Sequence, residues 1–345
     1  MTADPDLQDI LGNFSAYQEL LELLRKREAI AFVGAGASWD LYRGWTDLIE
    51  FLITKAKELG LTTDKDQNFW LRHASRRPQQ VVRAIKHAFR DMRVYENVLR
   101  EYFEPRIHPQ TGKAYTPIHQ AIVELSFRGI VTTNYDAGLF EALRSCRPDL
   151  PALRCDTWKD TTSVNCWYSR DVFKNKNDMC PLLYAHGSWN RPETIILDND
   201  MYREAYSDGP FRRMFQHLWA TERLVIIGIG FSDSWLDRIL DDILTHMVHS
   251  LGTRHVAIMG LREEDKRHVI QLRGLMQNAY NASVYFYPVK QKRVDGRPVD
   301  DHSELPSFLR NLRISLSKPD EFGPVELTQE AQRTKVFAFR SRDYE

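Results

Sequence analysis

Cysteine is scarce in this chain and never paired at metal-binding spacing. Cys146, Cys155, Cys166 and Cys180 include no C-x2-C or C-x4-C, so no zinc or other metal is expected and the four side chains read as free thiols. Excess charge of either sign is also missing: 47 Lys and Arg balance 47 Asp and Glu. That balance argues against a dominating nucleic-acid surface, so direct nucleic-acid binding is not expected. Apolar runs are short, and none approaches the roughly 18 consecutive residues of a membrane span. The N-terminus, MTADPDLQDILGNFSAYQELLELL, has acids and polar residues where a signal peptide needs a basic start and an unbroken apolar core. A soluble, cytoplasmic protein with no membrane partner is therefore expected. Solenoid-length repeats and low-complexity tracts are absent too.

What is present is ordinary globular composition over 345 residues, 43% hydrophobic and 27% charged, long enough for one large domain or two smaller ones. Apolar runs bounded by turn residues predict strands at Ala29 to Val33, Gly129 to Thr133, Leu182 to Ala185, Thr194 to Leu197, Leu224 to Ile227, Val256 to Met259 and Val284 to Tyr287. Between them, apolar residues recur at helical spacing. Trp45, Leu48, Ile49, Leu52 and Ile53 share one face, and Trp235, Leu236, Ile239, Leu240, Ile243, Leu244 and Met247 share another. Short strands alternating with amphipathic helices predict an α/β fold, a doubly wound and mostly parallel Rossmann-like sheet covered on both faces. Residues 61–115 read as a helical insertion, with Val81, Val82, Ile85, Ala88, Phe89, Val94, Val98 and Leu99 buried. It is either a lid or an enlargement of the core. The basic run Arg72, Arg76, Arg77, Arg83, Lys86 and Arg90 reads as a solvated helix face. After about Leu312 the chain turns polar, and residues 313–345 read as a tail or oligomerisation arm.

Four stretches carry candidate chemistry. In IAFVGAGASWD, Gly34, Ala35, Gly36 and Ser38 follow a strand, where glycine permits a tight bend and close approach of backbone N–H groups to a pyrophosphate. The third glycine and acid of a dehydrogenase fingerprint are missing. LVIIGIGFSDSW repeats the strand and G-x-G-x-S pattern with Gly228, Gly230 and Ser232, although Ser232 is equally suited to cap the next helix. GIVTTNYD places Thr133, Asn134 and Asp136 just past a buried strand. There Asn134 and Asp136 suit a ribose or a water, while Asp136 also suits a helix cap. In LLYAHGSWN, His186 follows an apolar run and is a general-base candidate only if it stands at the mouth of a nucleotide crevice.

Together these stretches resemble the sirtuin, or silent information regulator, superfamily of NAD-consuming enzymes, in its bacterial anti-phage branch. GAGAS with a downstream GW, TTNYD, HGS and GIGFSD occur in that family's order across roughly residues 29–290. The resemblance implies NAD as substrate. Its pyrophosphate would lie on Gly34, Ala35, Gly36 and Ser38, with Thr133 beside it and Gly228, Gly230 and Ser232 near the adenosine ribose. Asn134 and His186 take the family's catalytic positions, with Asp136 as the acid two residues after the asparagine. Residues 1–312 would then form one sirtuin-like NAD-hydrolysing domain.

Two departures bear on the reaction. Protein-deacylating sirtuins carry a four-cysteine zinc module after the catalytic histidine, whereas all four cysteines here precede His186. They also carry glutamine before the catalytic asparagine, where this chain has Thr133. The resemblance therefore favours an NAD glycohydrolase that yields nicotinamide and ADP-ribose as the effector of an anti-phage system. The alternatives are an NAD-dependent protein deacylase and a non-catalytic NAD or ADP-ribose binding module. With no sensor domain evident, the family analogy further implies homo-oligomerisation and control by a separate partner such as a HerA-like ATPase.

Overall fold

A computed structural model describes residues 10–148, 155–174, 180–229, 240, 254–294 and 297–317. Gly230, Ser232, most of the amphipathic stretch from Trp235 to Met247, and the chain after residue 317 lie outside the described residues.

The strands are β1 (Ala29–Val33), β2 (Gly129–Thr132), β3 (Cys155–Thr157), β4 (Leu182–Tyr184), β5 (Arg223–Ile227), β6 (His255–Arg262), β7 (Ala282–Val294) and β8 (Arg297–Asp301). They form one sheet in the order β3-β4-β2-β1-β5-β6-β7-β8. All neighbours are parallel except the edge pair β7 and β8. The expected doubly wound α/β architecture is present. All five residues of β1 are buried, as a parallel strand covered on both faces requires. Ala29, Ala31 and Val33 enter one core and Ile30 and Phe32 the other. The first core is closed by α1 (Asn13–Arg25), α6 (Pro117–Val123), α7 (Gly138–Cys146) and α12 (Glu304–Leu316). The second is closed by α8 (Thr161–Tyr168), α9 (Asn199–Tyr206), α10 (Pro210–Thr221) and α11 (Val269–Tyr280).

The predicted strand at Thr194 to Leu197 is not one. A short 3-10 turn covers Pro192–Thr194, Ile195 is extended, and residues 195–197 pair with no strand of the sheet. Their apolar character has another cause: Ile195 and Leu197 point into the core of the helical insertion while Ile196 points into the sheet's second core. The segment is a strap between two cores. Conversely, β3 is three residues long and β8 is the polar segment RPVDD on the sheet edge, so neither has the apolar run that reveals a buried strand.

The expected insertion at 61–115 holds α3 (Asp64–Ala74), α4 (Pro78–Ala88) and α5 (Met92–Phe103), and α2 (Trp45–Glu58), which precedes it, packs into the same core. Its starts have local causes. Thr63 and Asp66 form a reciprocal capping box, Pro78 occupies a first helical position, and Asp91 accepts from Arg93 N–H. Val81, Val82, Ile85, Phe89, Val98 and Leu99 are buried as expected in a core of its own, with Ala88 and Val94 half-buried against it. The basic run is not wholly solvated. Arg72, Arg76, Arg77 and Arg90 are exposed, whereas Arg83 pairs with Asp200 at 3.0 Å and Lys86 with Asp198 at 2.9 Å. Asp198 is buried and also accepts from the N–H groups of Asp200 and Met201 at the start of α9. Burial pushes its carboxyl up, but Lys86 and those N–H groups more than offset it, leaving it below the usual carboxylate range.

Lys86 thus ties the insertion to α9. Replacing Lys86 with Met should leave the Asp198 carboxylate without its cation and destabilise the fold by about 1–3 kcal/mol, read as a lower urea midpoint at pH 7. The difference should shrink as pH falls below about 4, where the protonated acid no longer needs the partner.

Candidate active site

From β1 the chain leads toward β2 on one side, and from β5 toward β6 on the other. Loops diverging from adjacent parallel strands leave a crevice at their carboxyl ends. The two glycine turns meet there, backbone on backbone. Gly34 N–H donates to Ile227 C=O at 2.9 Å and Gly36 N–H to Gly228 C=O at 2.8 Å. A Cβ on Gly34 would lie 2.8 Å from the Gly228 oxygen, one on Gly36 3.0 Å from the Gly228 Cα, and one on Gly228 2.8 Å from the Ala37 nitrogen. Gly228 also has φ +68°, a conformation that disfavours a side chain. The glycines are therefore required by contact between the turns, and the Gly36 N–H is committed to that contact.

Asn134 is held over this junction. Its Nδ2 donates to Gly34 C=O at 3.0 Å and to Ser38 Oγ at 2.9 Å, and its own N–H donates to Thr132 Oγ1 at 3.1 Å. A carbonyl only accepts, so the amide nitrogen must face Gly34 and the orientation is unambiguous. Asn134 Oδ1 is buried and has no hydrogen-bond partner among the described residues. Ser38 Oγ also lies 3.1 Å from Nε2 of His119, a fully buried residue on α6. Asp136 Oδ1 accepts from Gly138 N–H at 2.8 Å, so the carboxylate serves as a cap for α7 and also stands on the site wall.

His186 follows β4 and is 3% exposed. Its Nε2 lies 2.9 Å from Tyr206 Oη, and Tyr202 presents its ring edge-on. Its C=O accepts from Ile196 N–H at 2.8 Å. The next residue, Gly187, has φ +95°, and a Cβ there would sit 2.2 Å from the Thr194 oxygen. The strap that sequence periodicity mistakes for a strand is thus what seats the histidine turn.

These groups share one cavity of about 730 Å³, within the usual range for small-molecule sites. Ala35, Gly36, Ser38, Thr133, Asn134, Asp136, His186 and Gly228 line it. Gly34 sits behind the wall and reaches the site through its carbonyl, while Gly230 and Ser232 lie outside the described residues. Sequence reasoning missed the share of the loop after the first glycine turn and the helices beyond it, Tyr42, Arg43, Trp45, Tyr102 and Phe103. It also missed the far end, where Asp300 is gripped by Arg262 at 2.9 and 3.1 Å and His302 Nδ1 meets Tyr287 Oη at 2.8 Å. His119 was missed too, although TPIH carries a signal in its own right: Thr at a helix cap, Pro next, and a side-chain acceptor three residues on. All four cysteines are free thiols, and among the described residues no three His, Cys, Asp or Glu side chains gather as a metal site.

A doubly wound sheet with glycine turns, an asparagine loop and a histidine turn around one crevice is the arrangement that the sirtuin resemblance implies. The SIR2-like domain model matches residues 128–284. Similarity to individual proteins is more distant. Defense-associated sirtuin 2 of Bacillus subtilis is 24% identical over 229 residues, covering 65% of this chain and 20% of that protein. NAD(+) hydrolase ThsA of Enterococcus faecium is 22% identical over 313 residues, covering 85% of this chain and 56% of that protein. The chain therefore spans between a fifth and a little over half of these relatives' lengths. Among the described residues no helix is long and apolar enough to cross a membrane.

Two buried histidines make the fold acid-sensitive. Burial lowers His119 to about 4, partly opposed by Asp136 and reinforced by His108. Burial, with Arg254 and Arg223 adding to it, lowers His255 to about 3. In the unfolded chain both would titrate near 6.5. The folded state therefore excludes protons that the unfolded state binds, so stability is full above about pH 6.5 and falls as pH drops toward 4. Denaturant unfolding between pH 7 and 5 should show uptake approaching about two protons. A flat profile would mean that the rings are not held neutral.

Proposed function

We propose that this chain hydrolyses NAD to nicotinamide and ADP-ribose and serves as an NAD-depleting effector in antiviral defence. The observation that carries this reading is Asn134 Oδ1, a buried acceptor with no partner among the described residues, on the wall of the cavity that also holds His186. A buried polar atom left open in this way favours a ligand that can donate to it. The names of the two relatives, one a hydrolase of NAD(+) and one defence-associated, point the same way.

In this reading the bond between the ribose C1′ and the nicotinamide nitrogen breaks, the electron pair leaves with nicotinamide, and positive charge passes to the ribose. Water oxygen bonds to C1′ and its proton goes to solvent through a base, so that NAD and water become nicotinamide, ADP-ribose and a proton. The ribose transition state resembles an oxocarbenium ion, which makes positioning the main task of the protein. Asn134 Oδ1 accepts from the attacking water or a ribose hydroxyl. His186, oriented by Tyr206, takes the proton. Arg43 is the Lys or Arg side chain among the lining residues and supplies positive charge for the pyrophosphate.

The test is incubation of the full chain with NAD, following nicotinamide and ADP-ribose. Wild type should release both, and Asn134→Ala and His186→Ala, verified as folded, should each slow release by about 100-fold or more. Unchanged turnover in the folded variants would refute the catalytic assignment. Turnover that requires an acetyl-lysine peptide would make the chain a deacylase, and ADP-ribose binding without nicotinamide release would make it a binding module.

A further inference from the structure

The hydrogen bonds around Ser38 have a direction, and it originates outside the residues so far given a role. Thr116 and His119 cap the start of α6 reciprocally: Thr116 N–H donates to His119 Nδ1 at 3.2 Å and His119 N–H to Thr116 Oγ1 at 3.2 Å. Thr116 Oγ1 in turn donates to Ala37 C=O at 2.8 Å, which fastens the helix to the first glycine turn. A neutral imidazole whose Nδ1 accepts must carry its hydrogen on Nε2. The Nε2–H therefore donates to Ser38 Oγ, 3.1 Å away. Space for the ring is reserved by Gly138, where a Cβ would fall 2.2 Å from His119 Cε1. Burial keeps the ring neutral, as derived above.

Ser38 Oγ then receives two N–H donors, His119 Nε2–H and Asn134 Nδ2–H. With both lone pairs engaged, its own hydrogen must look elsewhere, and Ser38 lines the cavity. Asn134 has both amide hydrogens engaged, on Gly34 C=O and on Ser38 Oγ, which leaves Oδ1 as an acceptor.

We propose that His119 is a positioning residue that completes the hydrogen-bond polarity of the site: its donation to Ser38 makes that hydroxyl a donor toward the ligand, beside Asn134, whose bond to the Gly34 carbonyl already leaves Oδ1 as an acceptor. A donor beside an acceptor selects a group that both accepts and donates, which is a sugar hydroxyl or a water. A bare phosphate oxygen satisfies only the donor, and an ammonium group only the acceptor. The identity of the hydroxyl compound rests on the NAD reading, whereas the polarity itself does not.

Two measurements on the full chain separate these claims. Nitrogen-15 NMR of histidine-labelled protein at pH 7 should show His119, assigned by its loss in His119→Gln, as the tautomer protonated on Nε2. Protonation on Nδ1, or a rapidly averaged ring, overturns the proposal whether or not NAD is cleaved. The second measurement is a double-mutant cycle between His119→Leu and Ser38→Ala, read by kcat for nicotinamide release and by calorimetric binding of ADP-ribose. His119→Leu should lower kcat about 10- to 100-fold, with His119→Gln, which restores a donor at the same reach, recovering part of it. The double variant should be no worse than Ser38→Ala alone, since His119 acts through that hydroxyl. Additive losses in kcat, or in ADP-ribose affinity if the chain cleaves no NAD, mean that His119 is merely structural. Wild type that fails to cleave NAD while retaining the Nε2 tautomer and the non-additive binding loss removes the NAD reading and leaves the polarity assignment standing.

Discussion

Between the turn after β1 and the turn after β5 there is room for backbone only, and the cavity is organised around that contact. The two strands are hydrogen-bonded neighbours at the centre of the sheet, so their ends emerge about 5 Å apart. The strands that follow them, β2 and β6, lie on opposite sides of that pair. A side chain at Gly34, Gly36 or Gly228 would force the turns apart. That movement would carry away the Gly34 carbonyl that grips the Asn134 amide and the Ser38 hydroxyl beside it. Glycine in this motif serves the protein's own packing first. Ligand approach follows, because a junction without side chains is also a concave one.

Above the junction, orientation is settled by counting donors and acceptors. The Gly34 carbonyl can only accept, which turns the Asn134 amide nitrogen toward it and the oxygen away. His119 continues the same constraint from α6 through Ser38. Each group in the chain has one arrangement that satisfies its partners, and the groups left over face the cavity. The part of the wall formed by Asn134 and Ser38 is therefore pre-set by neutral groups, which suits the ribose-placing chemistry proposed above.

The helical insertion and the sheet each bring a core, and the site lies between them. The Ile195–Leu197 strap joins the two cores and seats the histidine turn, while Lys86 and Asp198 join α4 to the helix that bears Tyr202 and Tyr206. His186 consequently depends on both halves. Its ring rests on α9 and its backbone on a strap whose alternate residues anchor in different cores.

Much of this was legible in the linear chain. The central strands, the parallel sheet, the insertion's helices and the four site stretches all follow from local signals: apolar periodicity, turn residues and motif order. Their reach is a few residues, and so is the reach of the forces behind them. The strap at Ile195–Leu197 misled that reading because burial on alternate sides looks the same whether the sides belong to one sheet or to two cores. Strand β8 stayed hidden because an edge strand needs no apolar run. The His119, Ser38 and Asn134 network was out of reach for a different reason, since its bonds span 81, 96 and 100 residues of chain. Sequence patterning decides which segments are strands, helices and turns, because those choices minimise local free energy. Which buried donor meets which acceptor, and which atom is left for a ligand, is decided only when the sheet brings distant segments within 3 Å of one another.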